Sequence, residues 1–99
     1  MFKLTEEKQK ELKEKHGDIY LVTVEDKSAV LRKPTRKDLS YAMAASSQGK
    51  DPIALAETIM KNCFVEGDRE LMEDDDYFFG AMPVVTEMIQ VKAGELKKL

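Results

Sequence analysis

Residues Ile19 to Glu25, with the sequence Ile-Tyr-Leu-Val-Thr-Val-Glu, constrain the fold of this chain more than any other feature. The run is dense in β-branched and aromatic side chains, which suit a pleated, half-buried surface and lose rotamer freedom in a helix. Its period of two sets Tyr20, Val22 and Val24 on one face and Ile19, Leu21 and Thr23 on the other. Asp26, Lys27 and Ser28 form a short polar connection to a second run, Ala29 to Lys33, so the pair is expected to close as an antiparallel hairpin. A hairpin alone is marginal in water. The rest of the chain must therefore cover one face of it, and an edge stays open to another chain.

The rest reads as helix. From Thr5 to His16 the chain is nearly all Glu, Lys and Gln, with Thr5 to cap its start and Gly17 to stop it. Glu6 with Lys10 and Glu11 with Lys15 are spaced to pair, and Leu12 is the apolar contact within the helix, so residues 1–17 are expected to form a solvated arm anchored by Phe2 and Leu4. Pro34 ends the second strand. Thr35 and Asp38 then form a capping box for a helix to about Ser47, with Leu39, Ala42, Met43 and Ala45 at helical spacing. Asp51-Pro52 is a start signal, because the donor that Pro lacks has no partner in a first turn. The helix it opens should bury Leu55, Ala56, Ile59, Met60 and Cys63.

Glu66-Gly67-Asp68 is expected to turn, Leu71 and Met72 to pin a short helical turn, and Pro83 to open a last helix burying Val84, Val85, Met88, Ile89 and Leu96. The expected fold is α+β and mainly helical: an N-terminal charged helix, one antiparallel β-hairpin, then three to four packed helices. Residues 18–99 form its single domain.

Composition narrows the functional classes. The chain has 99 residues and is 42% hydrophobic, enough for one core without disulfides or a structural metal. It has 16 Lys and Arg against 19 Asp and Glu, and a net charge of −3 builds no field for a nucleic-acid duplex. Cys63 is its single cysteine, and the charged start does not resemble a signal peptide. A reducing cytoplasm is the expected compartment. Nothing approaches the roughly 18 consecutive apolar residues of a membrane span.

Catalytic and cofactor chemistry find little to work with. His16 sits at a helix end, where its cation favours the dipole, and Cys63 falls on a core stripe. Neither forms a nucleophile and base pair, and no enzyme is expected. The carboxylates Glu73 to Asp76 lack calcium-loop spacing, since Phe78, Phe79 and Val85 stand where a ligand, a glycine and a glutamate would be needed. No metal or cofactor is expected. Arg32, Lys33, Arg36 and Lys37 form a basic cluster able to meet phosphates, but no aromatic residue is interleaved with it. Six methionines are a high count, and Met72, Met82 and Met88 lie close in sequence to Phe78 and Phe79. Met adapts to irregular partners, so an apolar protein-binding surface is expected at Phe78, Phe79, Met82 and Met88, with Arg32 and Arg36 as further contacts.

The phrase Leu31-Arg32-Lys33-Pro34-Thr35-Arg36-Lys37-Asp38, followed by Asp51-Pro52 and by Asn62-Cys63-Phe64-Val65-Glu66-Gly67-Asp68, resembles the small tail assembly chaperones of long-tailed bacteriophages and prophages. The resemblance covers roughly residues 29–96 and leaves out the first helix. It implies a non-enzymatic protein of the bacterial host cytoplasm that coats a long tape-measure protein before the tail tube forms. Self-association is expected separately, from the unpaired hairpin edge and the apolar residues near the last helix. The alternative from another class is a small regulator binding nucleic acid through Arg32, Lys33, Arg36 and Lys37.

Overall fold

The computed structural model describes residues 2–89 and 94–99. Among them are five helices and one antiparallel sheet of three strands, an α+β and mainly helical fold. Helix α1 (Glu6–His16) starts where the Thr5 hydroxyl accepts from the Lys8 N–H at 3.2 Å and stops at Gly17, whose φ of 78° is left-handed. Strands β1 (Ile19–Val24) and β2 (Lys27–Arg32) follow, then helices α2 (Arg36–Ala45) and α3 (Pro52–Cys63). Thr35 and Asp38 close the capping box of α2, and the Asp51 carboxylate accepts from Ala54 N–H at the start of α3. Strand β3 (Phe64–Gly67), the short helix α4 (Glu70–Glu73) and helix α5 (Asp75–Thr86) complete the described elements.

The hairpin turn is tighter than the sequence suggests. Val24 faces Lys27 directly, so Glu25 and Asp26 alone make the turn, with Glu25 at φ 54°. Lys27 and Ser28 belong to β2. Their polarity is absorbed at the strand end, because Lys27 pairs with Glu70 at 2.9 Å and Ser28 donates its N–H to Asp68 at 3.0 Å.

The sheet is also wider than a hairpin, because β3 returns to pair with β2. The expected turn at Glu66-Gly67-Asp68 is instead the end of this strand. Gly67 has φ 143°, and a Cβ there would lie 2.4 Å from Ala29 Cα, so only glycine fits where the two backbones meet. A bulge between Val30 and Leu31 of the register sets Glu66 opposite Val30 but Phe64 opposite Leu31.

The last helix starts before Pro83, not at it. Asp74 caps α5 by accepting from Asp76 and Tyr77 N–H groups, so Phe78 and Phe79 are helical and Pro83 lies inside. Its missing donor would have reached Phe79, an exposed residue whose carbonyl water can satisfy. Leu96 is fully exposed and Val84 is 40% exposed, so neither joins the expected core, whereas Val85 and Met88 do.

The core lies between the inner face of the sheet and α2 to α5. Val22, Ala29 and Leu31 meet Ala42, Ile59, Met60, Leu71, Phe78 and Val85 there. Full burial of Leu31, Ile59, Met60 and Leu71 stabilises the fold by about 2 kcal/mol each. Val30 points to the other face, and it too is fully buried yet outside this core. On that side lies α1: Leu12 is buried, and Lys8 reaches Glu66, directly opposite Val30, at 2.9 Å. The charged helix thus lies across the outer face, neither Glu6–Lys10 nor Glu11–Lys15 being among its ion pairs.

Candidate functional site

The residues singled out from the sequence divide into two groups with different neighbours. Arg32, at the end of β2, is built into the fold. Its guanidinium donates to both carboxylate oxygens of Asp38, at 2.6 and 3.0 Å, and to the Asn62 carbonyl at 2.8 Å. One Asp38 oxygen also accepts from the Thr35 N–H at 2.8 Å and the Thr35 hydroxyl at 2.9 Å. The Arg32 bond above all, with the Thr35 donors, holds the Asp38 carboxyl well below the usual carboxylate range against the opposing effect of burial. Arg32 therefore clamps β2 to the start of α2 and the end of α3. Lys33, Arg36 and Lys37 remain exposed around it. Lys37 shares with Arg32, Asp38, Tyr41, Ala45, Thr58 and Asn62 a shallow depression of about 510 Å³ between α2 and α3.

The apolar candidates are not one groove. Phe78 and Met88 are buried in the core, Met82 is half-buried against it, and Phe79 is 55% exposed. The rings of Phe78 and Phe79 lie 6.1 Å apart and tilted, so the exposed ring rests beside the buried one. The apolar surface that α5 offers to solvent is thus Phe79, Pro83 and Val84, with Met82 at its margin. Sequence periodicity flagged the cluster but could not sort it, because the sort depends on where the helix begins.

The helix runs along β1 in the opposite direction. Tyr77 Oη donates to Asp26 at 2.8 Å beside the hairpin turn, and a Cβ on Gly80 would lie 2.8 Å from Val24 Cγ1. Farther on, Val84, Glu87 and Met88 share a 260 Å³ depression with Tyr20, Leu21 and Val22. Residues from both faces of β1 line it, so it lies over the edge of that strand away from β2.

Asp68, expected only within a turn, is instead an anchor. Its carboxylate accepts from Ser28 N–H and Phe2 N–H, and those donors, Ser28 first, lower its pKa. It joins the chain start to the hairpin. The signal for it was its place at the end of the Asn62 to Asp68 phrase.

The chemically versatile side chains stand apart. His16 is exposed at the end of α1, while Cys63 is buried and its thiol is pushed up to about 11. Among the described residues no group of three or more His, Cys, Asp and Glu is placed to hold a metal ion, and no helix is long and apolar enough to cross a membrane. Comparison with known proteins gives no match, whether to a family model, a curated protein or a solved structure.

Proposed function

We propose that this chain is a binding protein of the tail assembly chaperone kind, non-enzymatic and acting in the cytoplasm of a bacterial host, which captures a long helical tape-measure protein. The observation that carries this reading is Phe79. A helix that already buries Phe78, Ala81 and Val85 does not need a second phenylalanine turned outward for its core, yet Phe79 is 55% exposed with Met82 beside it. An aromatic anchor with an adaptable methionine suits the apolar stripe of an amphipathic helix.

The phrases that carry the family resemblance fall on the framework: Arg32, Asp38 and Asn62 form the clamp, Gly67 the close strand approach and Asp68 the anchor of the chain start. That division supports a fold shared with such chaperones and a separate client surface. The nucleic-acid alternative loses Arg32 to the clamp, which leaves Lys33, Arg36 and Lys37 as the exposed cations.

Co-expression with the long coiled-coil protein encoded by a neighbouring gene tests the reading. The chain should co-purify with that protein. Phe79→Ser with Met82→Ser should abolish capture, while Arg36→Ser with Lys37→Ser leaves it intact. A salt-dependent association with DNA or RNA that only the second variant loses would instead establish the regulator.

A further inference from the structure

Among the described residues the outer edge of β1 is unpaired, and apolar side chains stand beside it. The register settles which of its groups point outward. Lys33 N–H donates to the Asp18 carbonyl at 3.1 Å, and Val24 faces Lys27 across a two-residue turn, so Tyr20, Val22 and Val24 spend their backbone groups on β2. Ile19, Leu21 and Thr23 direct theirs away from it. Among the described residues no strand meets them. Leu21, at the middle of the strand, is 51% exposed on one face, and Val84 lies over the depression on the other.

Charge is distributed unevenly along this edge. At the hairpin end stand Glu25 and Asp26, exposed, with Asp74 and Asp76 of α5 grouped around Glu25. At the opposite end stand Lys13, Lys15 and His16 in the last turn of α1, with Lys33, Arg36 and Lys37 beyond the end of β2. Glu14 and Asp18 temper the basic end, and Lys27 at the acidic end is paired with Glu70. Glu87 lies beside the middle of the strand, at neither end. The edge is thus acidic at one end, apolar in the middle and basic at the other.

We propose that a second copy of this chain occupies this edge, β1 pairing antiparallel with β1 about a two-fold axis at Leu21. Antiparallel pairing is the arrangement in which the acidic end of each copy meets the basic end of the other, at two equivalent contacts. The outward groups of Ile19, Leu21 and Thr23 then form about six backbone hydrogen bonds with their counterparts, and the two sheets become continuous. The axis stands perpendicular to the sheet, so the two α5 helices lie on the same face, where Val84 meets its symmetry mate. A parallel pairing would set like charges together at both ends. The pairing leaves Phe79 free and is independent of the client reading.

Sedimentation of the full chain at tens of micromolar tests this, with hydrogen exchange at the edge amides as a second readout. A dimer is expected, weakened about tenfold or more between low and high salt because the end contacts are exposed. The N–H groups of Ile19, Leu21 and Thr23 should gain protection as concentration rises. Leu21→Lys should give a folded monomer.

A charge exchange completes the test. Glu25→Lys and Asp76→Lys with Asp26→Asn and Asp74→Asn make both ends basic, and Lys15→Glu, Lys33→Glu and Lys37→Glu together make both acidic. Each variant alone should be monomeric, and an equimolar mixture should restore the dimer. A folded wild-type monomer at every concentration overturns the proposal, as does a dimer whose edge amides stay unprotected or which persists in Leu21→Lys. Pairing of this edge with an extended client segment, while the free chain stays monomeric, overturns it as well. If a variant fails to fold, edge protection in the unaltered chain still decides.

Discussion

Arg32 and Asp38 meet through two parallel bonds of 2.6 and 3.0 Å, and the same guanidinium nitrogen that makes the longer one also holds the Asn62 carbonyl. One side chain therefore fixes the exit of β2, the first turn of α2 and the last turn of α3. Asp38 belongs at once to this pair and to the capping box. Removing either partner leaves the other half-satisfied in a mostly dry place.

Arg32→Ala should therefore destabilise the fold by about 2 kcal/mol, the scale of a hydrogen-bonded charge pair that keeps some solvent access. Arg32→Lys should recover only part of this, because an ammonium cannot reproduce the two parallel bonds. Denaturant titration of the three proteins measures both differences.

The same pair sets an acid limit. Asp38 has a folded pKa below its unfolded value, so its contribution is complete at neutral pH and declines as the pH falls below about 4. Melting temperatures measured from pH 6 down to pH 2 should fall more steeply for the wild type than for Asp38→Asn, which starts lower and has no proton to gain at that position.

Two glycines predict unequal tolerances. Gly17→Ala should cost about 2 kcal/mol, since its φ of 78° with ψ of −134° is strained for alanine but the surroundings are open. Gly67→Ala should cost about 3 kcal/mol or more, because a methyl there overlaps the Ala29 backbone as well as straining φ. Thermal unfolding of the two variants side by side checks the contrast.

The Cys63 thiol should be silent in the folded protein. It is fully buried and its pKa is about 11, so little thiolate exists at pH 7 to 8 and reagent cannot reach it. Labelling by a thiol-specific disulfide reagent should proceed at the rate at which the core opens. Adding denaturant should accelerate it in step with unfolding measured by circular dichroism.

What the sequence disclosed, and what it withheld, follows from the range of the interactions. The first three helices were legible because their ends are written locally, in Thr5 and Gly17, in Thr35 with Asp38, and in Asp51-Pro52. Strand β3 was hidden because it has four residues, no clean alternation and a glycine at its end. Its reason for being a strand lies in Ala29 to Leu31, far away in sequence. Pro83 misled for the converse reason: Asp74 was a better cap, but a run of acidic residues offers several, and only the packing of Gly80 on Val24 selects among them.

The candidate surface was half legible. Helical period cannot separate Phe78 from Phe79 until the start of α5 is known, and Arg32 looked like a free cation because its partner lies on the next element. Leu21 was placed on the correct face of its strand. That its edge is free depends on which side of β2 the third strand joins, which no local pattern records.

The late return of β3 has a kinetic consequence. The β1–β2 hairpin and the α2–α3 pair are each built from neighbours in sequence, and can form early and independently. Pairing of Phe64–Gly67 with β2 instead closes the whole excursion from Lys33 to Cys63, a loop cost that the two local pairs do not carry. The expected order is helical pair and hairpin first, with the third strand pairing after the rate-limiting step. Substitutions at Gly67 should accordingly hasten unfolding far more than they delay refolding, whereas changes at Ala42 or Ile59 should weigh on the refolding rate.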